Sequence, residues 1–327
     1  MSTGHDVVCL GEALVDFLPD KRGQRVRDVT RWTPCLGGAP ANVTVGVARL
    51  GGSSALVGVV GDDEFGHFLR QRLDEEGVDT SSLRHTNEGK TGLGFVSLTA
   101  TGERSFTFYR AQAAEQFLDG RDTRRASKVL DAARVLHIGT NSLLQPKARA
   151  AVTAAVRRSY KAGRLTSSDP NLRLHLWPEP KTLRALLVEL FPMLAIVKLS
   201  DEEIAFVTGT DDVEDALLAL EELGVPLAVV TQGAKGATFR FRGQTQQVPA
   251  PKVKVVDTTG AGDGFTSGLL TTLAALAGTR EELMALSFDD VEDAAHFGCV
   301  VGARVVTKLG AVAGLPTLDQ LHTAGAR

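Results

Sequence analysis

The chain has 327 residues, 43% of them hydrophobic and 23% charged, a balance ordinary for a globular enzyme with a sizeable core. A formal net charge of -3 and a pI near 6.2 leave no basic excess to neutralise nucleic-acid phosphates, which argues against a nucleic-acid partner. Cys9, Cys35 and Cys299 are odd in number and lack zinc-site spacing; with the short polar start Met1 to Asp6 and no apolar run of about 18 residues, they point to reduced thiols in the cytoplasm and away from a membrane.

In chain order, the apolar run Val7 to Leu10 predicts a first buried strand, and Asp16, just past Gly11-Glu12-Ala13-Leu14-Val15, is expected at the carboxyl end of the sheet, where open α/β sheets bind ligands. Asp16 to Thr33 is polar and densely charged. In Gly37-Gly38-Ala39-Pro40-Ala41-Asn42, Pro40 suits a first helical position and Val43, Val47 and Leu50 carry the buried stripe of the helix that follows. Asn42 then projects from the first turn, where an amide can donate to and accept from hydroxyls, and the glycines let a polyhydroxyl ligand lie against the backbone.

Helices are predicted over Glu64 to Glu76, Lys147 to Ala162, Lys181 to Leu190 and Val213 to Leu223, and further strands over Val135 to Ile138, Leu194 to Val197 and Leu227 to Val230. This alternation predicts one α/β domain over 1–327, a mostly parallel sheet between two helical layers. Thr91 to Arg110 breaks the rhythm as two strands, Gly94 to Thr99 and Ser105 to Tyr109, joined by the turn Ala100-Thr101-Gly102-Glu103. With the polar stretch, taken as about 16–33 and 91–112, it forms a small β sheet inserted in the main fold.

The segment Asp257-Thr258-Thr259-Gly260-Ala261-Gly262-Asp263-Gly264-Phe265 carries the chemistry. Leu269, Leu270, Leu273 and Leu276 recur at helical spacing after it, so Gly260, Ala261 and Gly262 fall where a helix leaves N–H groups free to bind phosphate oxygens. Each glycine costs a helix roughly 1 kcal/mol against alanine, a cost tolerated where the backbone must come close to something. Asp263 is then placed to take a proton from an attacking hydroxyl. The inserted sheet reads as a lid, because phosphoryl transfer to an alcohol must exclude water as the competing acceptor.

Together these segments resemble the two signatures of the ribokinase-like (phosphofructokinase B type) sugar kinases, over Val7 to Pro316 and closest to the fructokinases. The latter likeness rests on Gly11 to Pro19, Gly61-Asp62-Asp63-Glu64-Phe65-Gly66, Phe108-Tyr109-Arg110, Asp169-Pro170-Asn171-Leu172-Arg173 with Leu176-Trp177-Pro178, and Thr307-Lys308-Leu309-Gly310-Ala311. The resemblance implies a three-layer α/β/α fold with a β lid. It implies an ATP- and Mg2+-dependent kinase that phosphorylates the 6-hydroxyl of D-fructose, with Asp263 as general base and Gly260, Ala261 and Gly262 as anion hole. Asp16, Gly37, Gly38 and Asn42 would hold the sugar, joined by Phe95 and Arg110 from the lid and by Asp169 and Arg173. Asn171, Lys198, Thr231, Gly233, Gly236, Cys299 and Gly302 would hold the nucleotide. Glu203 would hold Mg2+ indirectly, Asp257 and Thr259 match positions that ligate a monovalent cation such as K+ in several relatives, and the lid would also serve a homodimer.

Ser200 and Cys299 stand where relatives carry asparagine; Ala111, Gln112 and Glu115 replace the asparagine, proline and aspartate that commonly follow Phe-Tyr-Arg; Gly92 and Gly94 replace alanines. The alternatives are a kinase of 2-keto-3-deoxygluconate or another sugar or nucleoside, and a sugar sensor without turnover. A dinucleotide oxidoreductase is disfavoured because no Gly-x-Gly-x-x-Gly follows the first strand.

Overall fold

A computed structural model describes residues 4–21, 23–98 and 104–325. Its main sheet has nine strands: β1 Val7–Leu10, β4 Ser54–Gly61, β5 Leu83–Thr86, β8 Val135–Ile138, β9 Leu165–Ser168, β10 Ile196–Ser200, β11 Leu227–Thr231, β12 Ala237–Phe241 and β13 Gln244–Val248. The spatial order is β13-β12-β11-β10-β9-β8-β1-β4-β5, parallel from β5 to β11 and antiparallel through β12 and β13. A second sheet of four strands, ordered β3-β2-β6-β7, comprises β2 Leu14–Pro19, β3 Trp32–Gly37, β6 Leu93–Leu98 and β7 Arg104–Tyr109.

Alternation along β1 divides the core. Val7 and Cys9 join one cluster, with Val43, Leu69, Leu269 and Val305; Val8 and Leu10 join the other, with Val152, Leu187 and Leu217. Every β1 side chain is therefore buried, as a parallel strand sandwiched by helices requires. Helix Ala261–Leu276 packs on helix Phe288–Val305 through glycines: a Cβ on Gly268 would stand 3.0 Å from the Gly298 Cα, and one on Gly264 would stand 2.6 Å from a Val305 methyl. Bare backbone on backbone holds the first turn of Ala261–Leu276 close to the sheet.

The three-layer α/β/α expectation matches this architecture, and Val7 to Leu10 and Val135 to Ile138 match β1 and β8. The strand expected at Leu194 to Val197 runs instead over Ile196–Ser200, because the 3-10 turn Phe191–Met193 takes up the residues before it and Ala195 N–H donates to the Thr166 carbonyl. Pro40 is the second residue of helix Ala39–Arg49, not the first. Asp16 is not at the end of a main-sheet strand but within β2, paired with Cys35 and Gly94. The strands flank the polar stretch, since Leu14–Pro19 and Trp32–Gly37 supply the apolar residues a sheet needs and leave 20–31 to the connection. Thr99 and the turn Ala100-Thr101-Gly102-Glu103 lie outside the described residues. No helix among the described residues is long and apolar enough to cross a membrane.

Candidate active site

Two helices distant in sequence begin side by side. Helix Ala39–Arg49 follows Gly38, whose φ of 97° and close approach to the Glu12 carbonyl, 2.7 Å from where a Cβ would sit, admit only glycine. Helix Ala261–Leu276 follows Gly260, with φ 77° and a Cβ position 2.5 Å from the Ala311 methyl. Across the gap, Asn42 Nδ2 donates to Asp263 Oδ2 at 2.7 Å, and both side chains are buried. Burial pushes the Asp263 carboxyl up to about 6, with the Asn42 hydrogen bond opposing the rise and the Asp169 charge adding to it. At neutral pH Asp263 is ionised yet more basic than an ordinary carboxylate, a condition that favours proton abstraction.

Asp263 opens on a polar cavity of about 240 Å³ that Asp16, Gly38, Asn42, Arg110, Asp169, Asn171, Arg173 and Lys198 also line, together with Gly260, Ala261 and Gly262. Asp169 follows β9 and Lys198 lies on β10, so the carboxyl edge of the sheet delivers both. Lys198 Nζ donates to Asp169 Oδ2 at 2.9 Å, and Thr266 Oγ1 donates to the same oxygen at 3.4 Å. Burial alone would lower the Lys198 ammonium, but the Asp169 and Glu203 carboxylates outweigh it and hold the group above its usual range. A Cβ on Gly262 would come 3.0 Å from Lys198 Nζ, so this turn and that cation are neighbours. Asn171 adopts a left-handed φ of 45° after Asp169, which turns the chain so that Arg173 can reach the cavity.

The second sheet closes the cavity from one side. Asp16 stands on β2 between two glycines, for a Cβ on Gly37 would lie 2.2 Å from its Oδ2 and one on Gly94 2.5 Å from its Oδ1. Gly37 therefore does not line the cavity but clears space for the carboxylate that does. Burial pushes Asp16 up to about 7, opposed by Arg110 and reinforced by Asp263. Arg110 Nε donates to Glu115 Oε1 at 2.8 Å in a buried pair, and a Cβ on Gly92 would lie 2.9 Å from that same oxygen. Burial raises the Glu115 carboxyl, with Arg110 countering it. Phe95 is not brought to the cavity. It pairs with Phe17, and neighbouring residues on a strand alternate faces, so it lies on the face opposite Asp16 and Gly94, stacked on Phe17 at 4.8 Å and edge-on to Trp32 at 5.1 Å.

Sequence reasoning missed Glu12, Asn141 and Glu115. Asn141 Nδ2 donates to Glu12 Oε1 at 2.9 Å, while Glu12 Oε2, Asp16 Oδ1, Asn42 Oδ1 and Asn141 Oδ1 are buried without a hydrogen-bond partner. Glu12 carried a readable signal: it stands two residues past the buried strand β1, at the sheet end where open α/β sheets bind ligands. Asn141 carried none.

A second, mainly apolar cavity of about 360 Å³ adjoins the first, and Thr258, Ala261 and Gly262 line both. Thr231, Gly233, Gly236, Cys299 and Gly302 all line it, with Pro251, Val253, Val255, Phe265 and Val306 supplying apolar walls that were not foreseen. Burial raises the Cys299 thiol to about 11, so it faces this space as a neutral group.

Glu203 lines neither cavity. Its Oε1 accepts from Leu172 N–H at 2.6 Å and its Oε2 from Ser200 N–H at 2.8 Å, which ties the Asp169 segment to the end of β10. Asp257 is also outside both; its Oδ1 accepts from Thr259 N–H and Oγ1–H and its Oδ2 from Gly310 N–H at 2.8 Å, while Thr259 lines the polar cavity.

Residues 4–318 match the model of the pfkB family carbohydrate kinases. The chain belongs to that family. This kinase is 40% identical over 314 residues to a fructokinase of Klebsiella pneumoniae, covering 96% of this chain and 97% of that protein. It superposes on a fructokinase of Xylella fastidiosa with bound ATP at a TM-score of 0.87, with 33% identity and 98% of each chain covered. A fructokinase double mutant of Vibrio cholerae O395, with fructose, ADP and potassium ion bound, superposes at 0.85 with 35% identity and 99% of each chain covered.

Two outcomes follow for the kinase. Gly92→Ala puts a methyl against Glu115 and shifts Arg110, so steady-state kinetics should show KM for the sugar raised by about tenfold with a smaller change in kcat. Because the folded Asp16 carboxyl lies above its ordinary 3.8, the folded state binds the extra proton, and Asp16 costs stability as pH rises from 3.8 through about 7. Asp16→Asn should therefore melt several degrees above the unsubstituted kinase at pH 8, the difference fading toward pH 4, as ligand-free thermal unfolding would show.

Proposed function

We propose that this kinase is an ATP-dependent fructokinase that converts D-fructose to fructose 6-phosphate. The observation that carries the reading is the Thr258 to Asp263 turn, in which Thr258, Ala261 and Gly262 wall both cavities and Asp263, the next residue, lines the polar one. A small polar cavity lined by unpartnered acceptors suits a polyol, whose hydroxyls are donors. The apolar cavity suits adenine, and the phosphates then run past Gly260, Ala261 and Gly262 toward Lys198. Fructose is favoured among sugars because the fructokinases of Klebsiella pneumoniae, Xylella fastidiosa and Vibrio cholerae match nearly the whole chain.

In this reading Asp16, Gly38, Asn42, Arg110, Asp169 and Arg173 hold the sugar, and Gly37 keeps Asp16 in place. The 6-hydroxyl oxygen attacks the γ-phosphorus in line while its proton passes to Asp263; the new O–P bond forms as the bond to the ADP oxygen breaks. The N–H groups of Gly260, Ala261 and Gly262, with Lys198 and Arg173, offset charge on the transferred group. Thr231, Gly233, Gly236, Cys299 and Gly302 receive the nucleoside, and Asn171 shapes the segment between the two ligands.

Mg2+ accompanies ATP as a hard cation that keeps several waters. Glu203 fits an indirect hold, because each carboxylate oxygen already accepts one backbone N–H and keeps a lone pair for a water. The ion would contribute charge neutralisation at the phosphates. K+ would sit by the loop that Asp257 ties to Thr259 and Gly310, held by the carboxylate and hydroxyl oxygens there.

The second sheet is the lid of a single domain. Its outer face presents Phe17, Trp32, Phe95 and a Tyr109 that is 65% exposed, an aromatic surface that fits a second copy of the chain. The free cysteines fit a reducing cytoplasm.

Asp263→Asn should abolish ADP release with fructose, ATP, Mg2+ and K+ while fructose still binds by calorimetry; near-normal turnover would sink the mechanism. Preference for 2-keto-3-deoxygluconate, ribose or a nucleoside in the same assay would overturn the choice of sugar and leave the base assignment standing. For the unsubstituted kinase, kcat/KM should fall about tenfold per pH unit below about 6, since protonated Asp263 cannot accept the proton.

A further inference from the structure

Away from both cavities, Asp62, His67 and His85 bring a carboxylate oxygen and two imidazole nitrogens within 4.8 Å of one another. Three separate elements supply them. Asp62 follows β4, His67 lies in the first turn of helix Glu64–Glu75 and His85 is on β5. We propose that Asp62, His67 and His85 form a surface binding site for a first-row divalent cation, with Zn2+ the best match.

The geometry fits that ion. Zn2+ takes imidazole nitrogen and carboxylate oxygen at roughly 2.0–2.2 Å, which sets tetrahedral ligands about 3.3 Å apart. Asp62 Oδ1 and His67 Nε2 are 3.4 Å apart already. The two imidazoles stack at 4.6 Å, so a modest rotation of the exposed His67 brings its nitrogen toward His85. His85 Nδ1 lies 3.2 Å from the Gly61 carbonyl oxygen, which fixes the proton on Nδ1 and leaves the Nε2 lone pair for a ligand, the backbone anchor that metal-bound histidines usually have. Asp62 N–H donates to the Thr86 carbonyl at 2.8 Å, which locks the first ligand beside the third. A mixed nitrogen and oxygen set of this kind selects borderline ions over Mg2+ or Ca2+, which prefer oxygen alone.

Local contacts oppose occupancy: Asn87 Nδ2 donates to Asp62 Oδ2 at 3.3 Å, and the Arg70 guanidinium brings a positive charge as well as a hydrogen bond. Arg70 Nε donates to His85 Nε2 at 2.9 Å, and this bond must break before that nitrogen can bind metal. Arg70 keeps a second anchor, the Leu83 carbonyl, so it need only swing its Nε edge away. The competition and the exposure of Asp62 and His67 make this a weaker site than a buried structural zinc.

The site sits at the root of the lid. Asp63, next to Asp62, accepts from Gly66 N–H at 2.9 Å and from Thr91 N–H at 2.9 Å, and Thr91 leads into β6. A bound ion would cross-link β4, β5 and the helix beside that junction, and by mass action it should raise the melting temperature.

The test is calorimetric titration of ZnCl2 into the nucleotide-free, metal-stripped chain, with His67→Ala and Asp62→Asn as exposed variants that leave the core intact and are checked for folding by circular dichroism. One Zn2+ per chain, weakened by about tenfold or more in either variant, is the expected result. Zinc should also raise Tm in the unsubstituted chain and not in His67→Ala. No binding, or binding equally tight in both variants and so held elsewhere, for instance at half-buried Cys35, would overturn the proposal. Fructose turnover is not the readout, so failure here and failure of the fructokinase reading are separate results.

Discussion

The hydrogen bond from Asn42 to Asp263 is the constraint on which the site depends. A carboxylate buried in a low-dielectric setting must find donors or take up a proton, and this one finds the Asn42 amide, with the Lys198 and Arg173 charges favouring its ionised form. To make that bond, two helices separated by more than two hundred residues must start at one point, and Gly38 and Gly260 allow it because each sits in a conformation and a crowd that a side chain would not survive. Behind them, Gly264 and Gly268 let helix Ala261–Leu276 lie flush on Phe288–Val305. The site is thus built on close backbone approach, and the side chains that touch ligands are few.

Charge is partitioned along the groove in a way that suits the order of events. Glu12, Asp16, Asp169 and Asp263 line the polar cavity with Arg110, Arg173 and Lys198, and the carboxylates have burial to overcome. A neutral polyol relieves that burden by donating hydrogen bonds, where an anion would add to it. Lys198 adjoins Gly262, which lines both cavities, so on the proposed reading cationic and N–H character gathers where phosphate charge arrives. Glu203 contributes without touching either space, since it straps Leu172 to Ser200 and so sets where Asp169 and Lys198 point.

The parts of this site that were legible in the sequence were those in which composition and position carry one meaning. Gly260, Gly262 and Asp263 at the start of one apolar helix, and Gly38 and Asn42 at the start of another, mark places where backbone must come close to something, although Gly37 serves a neighbouring side chain and not a ligand. The strand Val7–Leu10 was readable for a similar reason, as an unbroken apolar run. Where the meaning depends on the third dimension, the reading failed. Phe95 and Gly94 are neighbours in a strand, and nothing in the sequence says which of them faces Asp16. Ser54–Gly61 was not recognised because its glycines hide a strand that is buried throughout. Phe288–Val305 was missed although Ser287 and Asp290 form a reciprocal cap at its start, a signal present in the sequence and not used. Asn141 acquires its role only through Glu12, more than a hundred residues away.

Asp16 sits on the second sheet, between Gly37 and Gly94, while Asp263 sits on a helix of the main body. On the proposed reading, part of the recognition is therefore housed in a different piece of the protein from the chemistry, the two joined by a cavity and not by a shared element. Such a division lets a lineage try new substrates by altering one strand of a small sheet, with the proton acceptor and its amide partner left untouched. It also means that drift in the lid is filtered by which sugar the cell offers, whereas drift in the Gly260 to Asp263 turn is filtered by whether any phosphate moves at all.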